Sequence, residues 1–179
     1  MNQPLFARPL IAAVALGALG TFGALQGCSK PEPDGLAQAA FDAVVASCTQ
    51  YLASRTPFVR PGNGGGWTKT GYSPALVKPE VTRTESSVTP FVAKIVVKDN
   101  EAQAHASTEA EVLAITLTPA HLVSNRTHTF IYSFDGQRWH WKNGQRLVKV
   151  PGQNDRMEPV LLAEVAAAGP SGFSACLPR

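Results

Sequence analysis

The sequence predicts an α+β domain: an N-terminal helix packed on an antiparallel sheet of four or five strands, with a short C-terminal helix. Three observations predict it. Apolar residues recur at spacings of three and four from Leu36 to Ala53, the period of a helix with one buried face. Apolar and polar residues alternate on either side of Asp135-Gly136, the pattern of a β-hairpin covered on one side. Asp155-Arg156-Met157-Glu158 opens an apolar stretch as a capping box would, and that stretch stops at Gly169-Pro170.

A segment of different composition precedes this domain. Arg8 is the only charged side chain ahead of Lys30, and Leu10 to Leu25 is almost entirely Leu, Ile, Ala, Val, Phe and Gly. The run suits the hydrophobic region of a signal peptide and falls short of the roughly 20 apolar residues of a membrane span. It ends in Leu25-Gln26-Gly27-Cys28. These four residues resemble the lipobox of bacterial lipoproteins, a likeness confined to residues 1–28. It implies cleavage after Gly27, a diacylglycerol on the Cys28 sulfur and a further acyl chain, such as palmitate, on the new N-terminus. One acyl chain holds a protein only marginally, so several chains make the anchoring durable. Ser29, where lipoproteins kept on the inner membrane carry Asp, points by the same likeness to the periplasmic face of an outer membrane. On this reading residues 1–27 are the signal peptide, 28–35 a polar tether and 36–179 one globular domain.

In the first helix, Ala37, Phe41, Val44, Val45, Cys48, Tyr51 and Leu52 share a face, and Asp34 is placed to cap it. With Cys28 lipidated, Cys48 and Cys176 remain as an even pair in an oxidising compartment, so a disulfide between them is expected. The alternative is two separate buried thiols. Residues 54–79 carry Pro57, Pro61, Gly62, Gly64, Gly65, Gly66, Gly71, Pro74 and Pro79, and read as a long loop. Trp67, Lys69 and Tyr72 within it are a candidate binding surface, unless the aromatics fold back over one edge of the core.

Glu80 to Lys98 is rich in Val and Thr and reads as strand, with Pro90 at a bulge or edge and Asp99-Asn100 as a turn or interruption. Thr108 and Glu111 form a capping box for a short helix over about 109–114. In the hairpin, a two-residue Asp135-Gly136 turn pairs Phe134 with Gln137, Tyr132 with Trp139 and Phe130 with Trp141. Phe130, Tyr132, Trp139 and Trp141 then make one aromatic face, read first as core and alternatively as the lining of a ligand pocket beneath the helix. Asn143-Gly144 offers a second turn, leading into a further strand over 145–150.

Chemistry is sparse. His105, His121, His128 and His140 show no metal-ligand spacing, so no metal is expected. No Gly-x-Ser-x-Gly and no phosphate-binding glycine loop occurs, so neither a catalytic residue nor a cofactor is assigned. The net charge of +3, of which Arg8 would leave with the signal peptide, is no footprint for nucleic acid. The order of elements loosely resembles the cystatin-like and NTF2-like folds, a likeness of pattern that carries no activity. The sequence thus reads as a membrane-anchored, non-enzymatic envelope lipoprotein that binds another envelope protein or polymer. The alternative is a periplasmic carrier of a small ligand or lipid.

Overall fold

The computed structural model describes residues 33–179. The expectations for the signal peptide, for Cys28 and for the first part of the tether lie outside the described residues. The first helix, α1, runs Pro33–Ala53. It begins before the expected boundary, so Pro33, Asp34 and Gly35 are helix rather than tether. Proline is favoured in a first turn, where its missing N–H has no partner to lose. Asp34 sits in that turn and forms an ion pair with Arg83. Ala37, Phe41, Val44, Cys48 and Leu52 are buried, with Val45 and Tyr51 packed beside them, so the expected face is the face used.

The sheet is antiparallel and has seven strands, more than the four or five expected. They are β1 (Phe58–Pro61), β2 (Trp67–Tyr72), β3 (Leu76–Arg83), β4 (Phe91–Ala106), β5 (Leu122–Phe134), β6 (Trp139–Lys149) and β7 (Arg156–Val160). The order is β1-β2-β4-β5-β6-β7, with β3 paired to the first half of β4 while β2 takes its second half. Two short helices complete the chain, α2 (Glu109–Ala114) and α3 (Leu162–Ala166).

The extra strands come from the stretch read as a loop. Residues 54–79 hold β1, β2 and the start of β3. The glycines form the turn between β1 and β2: Gly62 donates its N–H to the Gly66 carbonyl at 3.0 Å, and Gly66 has φ of +69°. A methyl group at Gly66 would lie 2.6 Å from the Ala106 carbonyl oxygen, so backbone contact as well as φ demands glycine there. Pro79 is tolerated because β3 pairs on one side only. The Glu80–Lys98 run is likewise two strands, β3 and β4, joined by a turn over residues 84–90. Asp99-Asn100 does not turn the chain: β4 continues to Ala106, with a register shift at Glu101/Ala102.

The hairpin differs from expectation in register. Phe134 pairs with Trp139 and Tyr132 with Trp141, so the loop has four residues rather than two. The Asp135 carboxylate selects the longer turn by accepting the backbone N–H groups of Gln137 and Arg138, each at 2.8 Å. A bulge follows, and Phe130 faces Gly144. Asn143-Gly144 is therefore internal to β6. Gly144 is where the Trp141 ring lies across the strand: a Cβ there would meet that ring at 2.7 Å.

The C-terminal helix is shorter than expected. Residues 156–160 form the edge strand β7, leaving α3 only five residues. Arg146 on β6 and Glu158 on β7 face each other and pair at 2.7 Å, and Val160 is buried, which ties this segment to the sheet. By contrast α2 matches its expected range, with both hydrogen bonds of the Thr108/Glu111 capping box present.

The core lies between α1 and one face of the sheet. Phe91, Ala93, Ile95 and Val97 of β4 stand beside Phe134, Tyr132, Phe130 and His128 of β5. Phe41 of α1 packs on Tyr132 and Trp139 at ring separations of 5.7 and 5.0 Å. The Trp139 indole donates to the Ala37 carbonyl at 2.9 Å, and the Tyr132 hydroxyl donates to the Cys176 carbonyl at 2.7 Å. Desolvation raises the Tyr132 pKa, so the phenol keeps its proton and this bond across the ordinary pH range. The expected disulfide joins Cys48 on α1 to Cys176, with Cα atoms 4.3 Å apart and 128 residues of sequence separation.

Closing so long a loop restrains the unfolded chain, an effect of about 2–5 kcal/mol. Replacing Cys48 and Cys176 together by alanine should lower the unfolding free energy by that amount in urea denaturation. An unchanged midpoint would mean that packing alone holds the tail.

Candidate functional site

The structure separates the residues proposed for a binding loop. Trp67 and Lys69 face one side of β2 and Tyr72 the other, as their spacing along a strand requires. Lys69 Nζ donates to the carbonyls of Leu113 and Ile115 at 2.8 and 2.6 Å, closing the C-terminal end of α2, where a cation is favoured. Of the proposed pocket residues, Phe130, Tyr132 and Trp139 are buried in the core and Trp141 packs against it. They stack on one another, on Phe41 and on Phe173. Trp139 and Trp141 also border shallow grooves beside Leu177 and Pro178.

Tyr72 belongs to a charged cluster that no sequence spacing announced. Its ring centroid lies 4.5 Å from the Arg55 guanidinium and 4.4 Å from that of Arg126. Asp99, fully buried, joins the two arginines. Arg126 grips both of its oxygens at 3.0 and 2.9 Å, and Arg55 adds a bond of 2.7 Å. Arg126 also reaches Glu101 at 2.9 Å, which in turn accepts from Gln103. Burial raises the Tyr72 pKa against the opposing pull of Arg126, keeping the phenol neutral. Arg55 is 3 % exposed at its side chain, and two of its nitrogens, Nε and Nη1, have no hydrogen-bond partner among the described residues. The Tyr72 and Phe173 rings cover it instead. A carboxylate so enclosed joins the end of α1 to the sheet and is closed to a substrate.

The four histidines lie apart. His105 meets Thr68 at 2.9 Å, His121 accepts from the Thr118 backbone, and the half-exposed His140 bonds to Asp135 at 2.6 Å. Hydrogen bonds from the Arg138 backbone, His140 and the Gln137 backbone, in that order of weight, hold the Asp135 pKa well below the usual carboxylate range. His128 is buried against Phe173, 4.5 Å between rings, and neither ring nitrogen has a partner among the described residues. Desolvation first, then the Arg126 charge, push its pKa down to about 3. Among the described residues no three His, Cys, Asp or Glu side chains are grouped to hold a metal ion.

Tyr72 also borders an opening to solvent. A cleft of about 420 Å³ is lined by Pro57, Gly71, Tyr72, Ser73, Asn100, Ala102, Leu117, Thr118, Pro119 and Leu122. Its volume falls within the range of small-molecule and side-chain pockets. Gly71 and Ala102 face each other across β2 and β4, and their small size leaves the space. A methyl group at Gly71 would lie 2.6 Å from Leu117 Cδ1, pushing that side chain aside. Leu117, Thr118, Pro119, Ser73 and Asn100 contribute alternating apolar and hydrogen-bonding groups. The sequence signals here were the Pro57 and Thr118-Pro119 breaks, which mark connections without showing that they meet.

Two outcomes follow from the buried charges. Asp99→Asn leaves two enclosed guanidiniums short of a charge and should cost about 3–5 kcal/mol in urea denaturation. Because His128 binds protons more readily when unfolded, stability is full above pH 6.5 and falls as pH drops towards 3. Between pH 7 and pH 4.5 this group should account for a loss of about 2–3 kcal/mol. His128→Leu should remove that slope and be neutral or stabilising at pH 7; an unchanged slope would assign the acid sensitivity to another group. Comparison with protein-family models, with curated proteins and with solved structures finds no match to this chain.

Proposed function

We propose that the chain is a lipid-anchored lipoprotein of the bacterial envelope, probing its surroundings through a binding domain whose recognition surface is the Pro57–Leu117–Leu122 cleft. The observation that supports this most directly is the position of the cleft. Pro57 follows the C-terminal end of α1 by four residues, and α1 is 21 residues long. The cleft therefore sits about 30 Å from Pro33, where the chain enters the domain. A tether at Cys28 would leave it turned away from the lipid.

The occupant is an apolar side chain or short extended segment of another envelope protein or polymer. Pro57, Leu117, Pro119 and Leu122 would bury it, and Ser73, Asn100 and Thr118 would meet its polar groups. No catalytic role is assigned to any residue, and no cofactor. The second reading, a carrier of a small ligand or lipid, draws support from the cleft volume. It moves from the aromatic residues first considered for it to this cleft. Phe130 and Tyr132 are packed in the core, which favours the cleft over them for that role.

Asn100 and Pro119 are exposed, so enlarging them fills the cleft at little cost to folding. Asn100→Trp with Pro119→Arg should abolish crosslinking of the native, membrane-attached protein to its partner. The melting temperature should stay within about 2 °C of wild type. Undiminished crosslinking to the same partner would overturn the cleft as the recognition surface. Cys28→Ser should leave an uncleaved chain without acyl groups, read by intact-mass spectrometry. Processing and membrane retention unchanged by Cys28→Ser would overturn the anchor.

A further inference from the structure

We infer that the end of the domain at which the chain enters is a lipid-contacting surface, formed by Leu36, the tip of the β3–β4 hairpin and the tip of the β5–β6 hairpin. This rests on the lipoprotein reading and deepens it by naming what that end touches. Four residues separate Cys28 from Pro33, so the five steps between them reach about 17 Å when fully extended. Whatever stands around the first turn of α1 is thus confined to the neighbourhood of the bilayer interface that holds the acyl chains.

The two hairpin tips flank that turn. Arg83, at the end of β3, pairs with Asp34. Trp139, at the start of β6, bonds to the Ala37 carbonyl. Two large apolar side chains are exposed here, Leu36 at 49 % and Val88 at 77 %, the latter at the β3–β4 tip. The Val88 turn is held in shape. Thr84 Oγ1 donates to the Thr89 carbonyl, Ser86 N–H donates to Thr84 Oγ1 at 3.2 Å, and Thr89 N–H donates to Ser86 Oγ at 3.1 Å. These bonds keep Val88 projecting instead of folding back onto the domain.

Two acids of this end are tied up locally: Asp34 pairs with Arg83, and Asp135 bonds to its own turn and to His140. Exposed apolar side chains beside groups so tied suit the interface of a phospholipid bilayer. Two side chains would hold a free domain only weakly. Tethering makes the contact intramolecular, so that a weak contact is occupied.

The test uses the lipidated full chain in vesicles of phosphatidylethanolamine and phosphatidylglycerol. Val88→Cys and, at the cleft end, Ala120→Cys each supply a free thiol for an environment-sensitive fluorophore, because Cys48 and Cys176 are bonded. The label at position 88 should shift to the blue and be quenched severalfold more by nitroxide-bearing lipid than the label at position 120. Raising the salt from 0.1 to about 1 M, which collapses the Debye length, should leave that difference intact. Equal quenching at the two positions, with Cys28 acylation confirmed by mass, would overturn the lipid contact while sparing the anchor. A Cys28 without acyl groups in the native cells would overturn both.

Discussion

A helix of 21 residues is about 31 Å long, whereas strands of 13 and 16 residues extend to roughly 43 and 53 Å. One helix therefore cannot cover the face of β4 and β5 from end to end, and the composition of that face follows the deficit. Where α1 lies over it, the paired positions are Phe91 and Phe134, Ala93 and Tyr132, Ile95 and Phe130. Where the helix gives out, the pairs become Asp99 with Arg126 and Glu101 with Ser124. Arg55, two residues past Ala53, reaches back to Asp99 and seals the junction. The charged cluster is thus the termination of a core. It pairs the Asp99 carboxylate with two arginines at a place where α1 no longer covers the sheet.

The C-terminal segment serves the same need from the other direction. Phe173 packs on Phe130 and His128, and its backbone N–H bonds to Val165. Cys176 ties the segment to α1 through its sulfur and to Tyr132 through its carbonyl. A tail that covers part of the sheet needs a restraint, since few contacts in its own sequence would hold it there. The disulfide and the buried phenol supply two, from different layers of the molecule. His128 shows what this covering costs: an imidazole buried against Phe173 near Arg126 has no hydrogen-bond partner among the described residues.

How far the sequence could be read depended on whether the deciding contact was local. The face of α1 and the Thr108/Glu111 box rest on residues three and four apart, and both were legible. The hairpin shows why a wrong register still gave the right face. Next to the turn the observed pairing is displaced by two residues, which leaves Phe134, Tyr132, Trp139 and Trp141 on one side of the sheet; only beyond the bulge does the displacement become three. The Asx turn at Asp135 that made the difference is a side-chain effect, invisible in the alternation. Residues 54–79 were misread because glycine and proline mark breaks, and two breaks enclosing six residues look like one loop until β4 is known to need a partner. The apparent helix start at Asp155 failed because the Arg146–Glu158 pair and Val160 burial, both non-local, won the segment for the sheet edge. Asp99 lies 27 residues from Arg126 and 44 from Arg55, so no spacing rule brings these three together.

The same mismatch of lengths gives the domain two unlike ends. At one end helix and strands finish together, the aromatics are covered, and what protrudes is a pair of ordered hairpin tips beside the first turn of α1. At the other the strands outrun the helix, the inner face turns polar, and the β4–β5 pairing shifts register at Glu101/Ala102. There Gly71 stands opposite Ala102, Leu117 folds over the glycine, and space remains between them and Pro57. Gly71 and Ala102 share the face of β2 and β4 on which Lys69 meets the end of α2, so the cleft lies beside α2, on the side of the sheet away from Asp99 and Glu101. An anchor on the chain just ahead of Pro33 would convert that internal asymmetry into an orientation, with the covered end towards the lipid and the incompletely covered end towards whatever the protein meets.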